Sequence, residues 1–446
     1  VRRLICDCVG VTLTPTGAVR ASQDSRSTLT AVALGLSAVL GVGVLLGPAT
    51  ATALTGRPAA LAVLLAALTA LCCAFTTAEQ HRADPNAGGG YGHVRDHLGQ
   101  WPARISGSAF LVGRAGVAAA LAATFAEHVF PDQRWTAALA VLAGTAALGA
   151  AGLRWSTRAS LVAAALVVGV LLLVVLLCFS VAPPPAAPPV PDVPGELVGA
   201  AGLVFVAFTG FERITAPVAG DPVFPARRLR VAVPVLVGVT LLVVLAVLVA
   251  LQHQLGTARL ALSPAPLRDA MNAADGPWLV PLVQLAAGVA ALSALHFLFA
   301  GNRRTLVAMA ENGDLPGRLA PAGRRPWRPD LLTAAGAAAA LLLLTPAQAL
   351  AVGACGTLFH HAFSSAAARV LLQEGRTWPM RAACAGLGLS VLLAMSLPVH
   401  ALLWTFTAVA AGTALTGLCS VLSLRRRARL VSSARTPPGT SGTAGA

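Results

Sequence analysis

Two stretches decide how this chain folds: Leu36-Ser37-Ala38-Val39-Leu40-Gly41-Val42-Gly43-Val44-Leu45-Leu46-Gly47-Pro48 and Phe205-Val206-Ala207-Phe208-Thr209-Gly210-Phe211-Glu212-Arg213. Each lies near the middle of an apolar run long enough to cross a bilayer as a helix, and each is poorly suited to remain one. Glycine loses the most backbone freedom on becoming helical, and proline lacks an N–H and clashes with the preceding turn. Irregular backbone persists at membrane depth only where protein or a water-filled cavity satisfies its polar groups. Gly-interrupted helices at corresponding places in two halves of a chain therefore point to a polar site at mid-membrane.

The rest of the sequence places these stretches in a membrane. Of 446 residues, 56% are hydrophobic and 11% are charged, against about 25% charged in an average soluble protein. The mean hydropathy is +0.75. These values exclude a soluble enzyme, a disordered chain and a disulfide scaffold. Twelve apolar stretches follow one another, at about 29–55, 58–78, 103–126, 135–153, 159–182, 196–217, 231–252, 278–301, 330–345, 347–368, 379–396 and 400–424. Most approach the roughly 20 residues that span about 30 Å of hydrocarbon as a helix. The pairs 330–368 and 379–424 must fold as hairpins, turning near Thr345-Pro346 and Leu397-Pro398.

All 32 basic residues are arginine, and the formal net charge is +15. With the N-terminus in the cytoplasm and alternating sides, 27 arginines fall inside and four outside (Arg57, Arg134, Arg259 and Arg268), with Arg114 inside the third span. That is the positive-inside bias, so twelve spans with both termini cytoplasmic are expected. The basic balance then reports topology, and no nucleic-acid partner is expected. Residues 1–28 form a polar N-terminal tail without the early apolar core of a cleavable signal peptide. Residues 182–194 are expected to be a stiff polyproline connector outside. Residues 425–446 are expected to be a disordered basic tail, with Arg425–Arg429 at anionic headgroups. Six of the eight cysteines lie in apolar segments, and Cys6 and Cys8 form a lone C-x-C; no metal site and no cofactor are expected.

The two Gly-rich breaks are five spans apart. That spacing is expected of five helices plus five in an inverted repeat, about 29–182 and 196–368, followed by two further helices at 379–424. The fold class is thus an all-α integral membrane protein with helices 1 and 6 broken. The competing explanation is that the glycines only let helices pack closely. Glu212, a carboxylate beside the second break, favours a site.

These residues carry a resemblance. Gly41-Val42-Gly43-Val44, followed by Gly47-Pro48, resembles the first-helix G-x-G-[IV] motif of the amino acid–polyamine–organocation (APC) superfamily, and within it the cationic amino acid transporter and amino acid permease branch. Phe208-Thr209-Gly210-Phe211-Glu212 is similar to that family's sixth-helix F-x-G-F-[DE]. The most specific match is Ala78-Glu79 through Pro85, Gly88-Gly89-Gly90-Tyr91 and Val94-Arg95, which resembles the loop after its second helix. Arg304 through Ala308-Met309-Ala310 and Gly313-Asp314-Leu315-Pro316 is similar to the segment after its eighth, and Gly356-Thr357-Leu358 fits the start of its tenth. Order and spacing are kept from about 30 to 370.

The resemblance implies a secondary or facilitative transporter that moves amino acids, cationic ones among them, across the plasma membrane by alternating access. It implies that Gly41, Val42 and Gly43 face the substrate carboxylate, and that Ala207, Phe208 and Thr209 face its ammonium. Val206, Thr209 and Gly210 complete the lining, with Phe205, Phe208 and Glu212 as gate or coupling candidates. A half-helix N-terminus suits an anion on independent grounds, through its unpaired N–H groups and dipole. Glu212 has a structural alternative, an ion pair with Arg213 or Arg114. Arg114 itself is expected to pair with Glu212 or Glu127, and Glu79 to pair with a nearby arginine or cap the Gly88–Gly90 loop. His296, His360 and His361 are expected to be packing residues.

Two departures stand out. Val42 takes the place of a small hydroxyl residue common in relatives, and Val167 stands roughly where some hold a coupling lysine. Coupling through that lysine is excluded; exchange, uniport and coupling to H+ through another residue stay open. A solute sensor of the same fold and a permease for polyamines or other amines are the alternatives. A membrane-embedded enzyme finds no support, since no H-E-x-x-H, G-x-S-x-G or ATP-binding G-x-x-x-x-G-K-[ST] occurs.

Overall fold

The protein is described by a computed structural model covering residues 27–83, 88–153, 155–184, 191–217, 222–320, 327–372 and 378–434. Regular structure among these residues is entirely helical. The first apolar stretch begins with α1 (Thr28–Val39), started by Ser27, whose hydroxyl accepts the Thr30 N–H at 3.2 Å. It does not continue: α2 (Val42–Leu45) and α3 (Gly47–Thr55) follow as separate pieces. Next come α4 (Ala59–Ala83), the short α5 (Gly89–Leu98), α6 (Gln100–Val129), α7 (Arg134–Ala150) and α8 (Thr157–Ser180).

The sixth stretch is broken as well. It comprises α9 (Leu197–Val204), a 3-10 turn over Phe205–Phe208 and the one-turn α10 (Glu212–Thr215). Then follow α11 (Ala226–Leu262), α12 (Pro266–Ala273), α13 (Val280–Glu311), α14 (Trp327–Leu343), α15 (Pro346–Leu371), α16 (Trp378–Met395) and α17 (Val399–Ala434). Within α11 the backbone leaves helical geometry at Gly256 (φ 71°), close to the limit that hydropathy gave the seventh stretch.

Each of the twelve apolar stretches is thus helical. Six helices are both long and apolar enough to cross a membrane by length and composition among the described residues: α4, α6, α8, α11, α13 with the turn before it, and α17 up to Ser423. The helix breaks expected near Thr345-Pro346 and Leu397-Pro398 are both present. Thr345 and Gln348 form a reciprocal capping box at the start of α15, and Pro398 separates α16 from α17. Helix α17 does not stop at 424: it runs through Arg425–Arg429 to Ala434. Arginine is a good helix former, so no local signal ends the helix there. Residues 1–26 of the expected tail and 185–190 of the polyproline connector fall outside the described residues.

Packing sorts the helices by chemistry. Helix α8 is strongly apolar yet only 39% buried, and it turns Val162, Leu172, Leu176 and Phe179 outward, as a lipid-facing helix must. Helix α6 is less apolar and 78% buried. It lies along α15 at very short range: a methyl on Gly113 would meet Thr357 N at 2.6 Å, and one on Gly356 would meet Gly113 Cα at 2.7 Å. Small residues allow such close approach and the dispersion gained from it. For these glycines, packing is the whole explanation. The α6–α15 pair forms a closely packed wall that both broken helices touch.

Candidate functional site

The first break opens at Leu40, which leaves the helical region (φ −72°, ψ 79°). The Gly41 N–H turns back to Val39 O at 2.8 Å instead of reaching Ser37. The released Ser37 carbonyl accepts the Ser293 hydroxyl of α13 at 2.9 Å. The next bond of the regular pattern is Val44 N–H to Gly41 O, at 3.1 Å. The amides of Val42 and Gly43 precede it, so they have no partner within that turn.

The second break opens after the Phe205–Phe208 turn. Thr209 is extended (ψ 145°), and its hydroxyl donates to Val206 O at 2.8 Å. Gly210 adopts φ 116°, where a side chain is strained, and a methyl there would also strike the Ala38 carbonyl at 2.8 Å. The two breaks touch. Gly43 lies directly on the Ala207 backbone, leaving no room for a Cβ, while Gly41 faces Ala294 and Leu121. Phe205, Val206, Ala207, Phe208 and Phe211 are all buried. Sequence reasoning placed Gly41–Gly43 and Val206–Gly210 at one site, and the structure brings these two stretches together.

Glu212 sits at the junction. Its Oε2 accepts the Gly210 N–H at 2.8 Å, and its Oε1 pairs with Arg114 Nη2 of α6 at 3.2 Å. Of the partners weighed for Glu212, the structure selects Arg114. Glu127 lies elsewhere, near Arg134 at 3.5 Å. Arg114 also stacks on Phe110, 5.0 Å from the ring centroid. His361 Nε2 lies 3.4 Å from Glu212 Oε1 without a hydrogen bond, its ring held between Phe205 and Phe211. Phe205, a gate candidate, thus doubles as the wall of the His361 pocket.

The sequence profile of the family described as "Amino acid permease" matches residues 27–424. The chain belongs to the amino acid permease family. It is similar to uncharacterized transporters of Mycobacterium bovis and of Mycobacterium tuberculosis, each 36% identical over 412 residues, covering 90% of this chain and 92% of the relative. Family and apolar helices together make it a multi-pass membrane protein of transporter type.

In this permease the segment ending at Val94-Arg95 and the one around Gly313-Asp314 meet in a second cluster. The Asp314 side chain is buried and accepts three donors: Tyr91 Oη at 2.5 Å, Arg95 Nη1 at 2.8 Å and Arg104 Nε at 2.9 Å. Arg104 also donates to Ser420 of α17 at 2.8 Å. One carboxylate thereby ties α5, α6, α17 and the end of α13. Burial, with the Asp314 carboxylate beside it, pushes the Tyr91 phenol well above the usual tyrosine range. Sequence reasoning singled out both loops but not their contact, because spacing along the chain carries no information about which loops meet.

Four more assignments resolve. Arg213 does not pair with Glu212; it donates to Ser37 Oγ at 2.6 Å and Ser160 Oγ at 2.9 Å, joining α1 to α8. Glu79 pairs with Arg82, 2.6 Å away. His360, expected to be a packing residue, meets Ser106 Oγ at 3.0 Å and Phe110 at a centroid distance of 4.7 Å. His361, given the same role, packs between Phe205 and Phe211 and also stands beside the site's carboxylate. The signal available for it was its place one turn beyond Gly356-Thr357.

Proposed function

We propose that this chain is a secondary transporter that moves amino acids across the plasma membrane by alternating access. Residues 29–424 form the transport domain: two inverted repeats of five membrane helices at about 29–182 and 196–368, then two more at about 379–424, with both termini cytoplasmic. The observation that carries this reading is the contact of Gly43 with Ala207, which sets two interrupted helices break against break.

When these segments part, the amides of Val42 and Gly43, joined by Gly41 once its N–H leaves Val39 O, receive a carboxylate, as half-helix N-termini do. The carbonyls of Ala207, Phe208 and Thr209 receive the ammonium. Val206, Thr209 and Gly210 shape the space for the side chain, and Phe205 and Phe208 close over it. Because Glu212 is already held by Arg114, it does not offer an uncompensated negative charge. This favours a net-neutral zwitterion over a cationic amino acid.

The experiment is an uptake panel of neutral and cationic amino acids and polyamines in proteoliposomes of the purified full chain, with counterflow as readout. Counterflow of at least one amino acid is expected. Counterflow of polyamines alone would replace the substrate class. Ligand-dependent thermal stabilisation without flux would make the protein a sensor of the same fold.

A further inference from the structure

We propose that the groove between α7 and α14 is a site for one phospholipid with a primary ammonium headgroup, which Glu127 and Arg134 recognise. The inference needs only that the protein is embedded in a bilayer, and it does not depend on which solute is moved.

Two cavities lie along this pair of helices and differ in chemistry. The first, about 390 Å³, sits where α6 ends, α7 begins, α14 ends and α15 begins, and its polar lining is Glu127, Arg134, Thr345 and Gln348 with Trp135 beside them. The second, about 490 Å³, is lined by apolar side chains such as Leu139, Ala143, Ala147, Leu331 and Ala335, and reaches Trp327. The two follow each other within a turn: Ala138 lines the first and Leu139 the second on α7, and Leu341 and Ala338 do the same on α14.

Helix periodicity makes the apolar part. Leu139, Ala143 and Ala147 recur every four residues on α7, as Leu331 and Ala335 do on α14, so each set lies on one face. Small residues set opposite one another leave a channel where larger ones would fill the seam. The helices are nevertheless pinned at its far end. A methyl on Gly149 of α7 would meet Asp330 Oδ2 of α14 at 2.8 Å, and that carboxylate accepts Arg303 Nε at 3.0 Å and Nη2 at 2.6 Å. Leu331, Leu342 and Leu343 are exposed beside the channel, so hydrocarbon reaches it in a membrane. An acyl chain lying there regains the dispersion that an empty apolar wall forfeits.

The polar end selects the lipid. Arg134 Nη1 stands 3.5 Å from Glu127 Oε1, the outer limit of a hydrogen bond, and the arginine side chain is 60% exposed. Among the described residues no donor reaches Glu127 Oε2. Gln348 Oε1 accepts the Thr345 N–H at 3.0 Å, which leaves its amide nitrogen to donate. Two opposite charges side by side, neither saturated, complement a phosphate at Arg134 and Gln348 and an ammonium at Glu127. A quaternary ammonium has no N–H to give the carboxylate, and an anionic headgroup leaves Glu127 unanswered. A primary ammonium of the ethanolamine kind satisfies both. Trp135, exposed at the same level, stands where an indole anchors at the bilayer interface. On the topology proposed above this is the outer leaflet. A helix of a second copy would fill the channel without answering the charges, and a soluble zwitterion would answer the charges without filling the channel.

The test is native mass spectrometry of the full chain released from detergent and titrated with phosphatidylethanolamine, phosphatidylcholine and phosphatidylglycerol of identical acyl chains. One phosphatidylethanolamine per chain should bind about fivefold more tightly than either other lipid, what a partly exposed ion pair gives at the upper end of its range. Glu127→Gln should lower phosphatidylethanolamine to the level of phosphatidylcholine. Arg134→Gln should weaken both. Ala335→Phe, at an exposed position in the channel, should weaken all three lipids while the melting point of the delipidated protein stays unchanged.

Equal affinity of the wild type for the three lipids, or preference for phosphatidylglycerol, overturns the proposal. So does a Glu127→Gln variant that keeps the wild-type preference. A dimer that Ala335→Phe dissolves would put a second copy in the groove instead. Glycerophosphoethanolamine binding as tightly as the intact lipid would remove the channel from the site.

Discussion

Four glycines in or beside the breaks form a graded test, because the structure gives each a different space for a methyl group. At Gly47 a Cβ meets nothing within 4 Å. At Gly41 it meets the Ala294 methyl at 3.0 Å and Leu121 at 3.3 Å, contacts that yield by a few tenths of an ångström. At Gly43 it lands on the Cα and N of Ala207, and at Gly210 on the Ala38 carbonyl with φ 116° besides. Backbone cannot swing aside as a side-chain tip can. Overpacking of this kind costs about 1–3 kcal/mol, which is about 5- to 150-fold in a conformational equilibrium. Gly43→Ala and Gly210→Ala should therefore lower transport by that factor if contact of the two breaks is an obligatory state. Gly41→Ala should cost at most severalfold. Gly47→Ala should be neutral or gain about 0.5–1 kcal/mol of helix stability. Counterflow, normalised to the amount of inserted protein, is the assay. If Gly43→Ala works within twofold of wild type, or the order of the four is scrambled, the two breaks do not need to touch.

The remaining predictions concern the ion clusters. Asp314→Asn leaves Arg95 and Arg104 without their shared carboxylate and should destabilise the protein by about 3–5 kcal/mol, with Tyr91→Phe costing about 1.5–3; detergent melts followed by the seven tryptophans would measure both, and an unchanged Asp314→Asn melt would remove the cluster from the stability account. Because the Tyr91 phenol is raised by burial and Asp314, its contribution is complete below the usual value of about 10 and is lost as pH rises beyond it; Tyr91→Phe should flatten that alkaline decline, and an identical decline in the variant would refute the assignment. Arg213→Lys keeps the charge but cannot donate to Ser37 and Ser160 as a planar fork, so its melting point should fall, and equal melting points would show that the fork is dispensable. Glu212→Gln should destabilise Arg114, and Arg114→Met combined with it should recover most of that loss; additive losses in this double-mutant cycle would mean that the pair does not interact.

The helical architecture was legible because its signals are collective. Long apolar runs announce lipid-facing helices such as α8 whatever their exact sequence. Both breaks were legible because glycine and proline act locally: Gly210 at φ 116° needs no knowledge of the rest of the fold. Which side chains meet at the breaks was legible only in part. Arg114 and Glu212 could be named as candidate partners, as the few charges at that depth demand some, but Arg213 and Glu127 stayed open until the structure chose between them. Arg213, one residue further, could not be placed, because its partners Ser37 and Ser160 are unremarkable serines on other helices. His361 packs as expected, between Phe205 and Phe211, but its neighbour Glu212 was not foreseen, for a related reason. A histidine in an apolar run has no local feature that separates a packing role from a neighbour's carboxylate. The extent of α17 was missed because its arginines favour helix while hydropathy marks them as its end.

The Asp314 knot has a mechanical consequence. It lashes together α5, α6, α17 and the end of α13 at one face of the molecule, so those four elements behave as a chassis. On the alternating-access cycle proposed above, a passage beside the knot is made by pieces the lashing leaves out, and the Leu40–Gly41 joint is where α1 can turn relative to the rest of its span. One buried carboxylate thus sets which elements would serve that cycle as its frame.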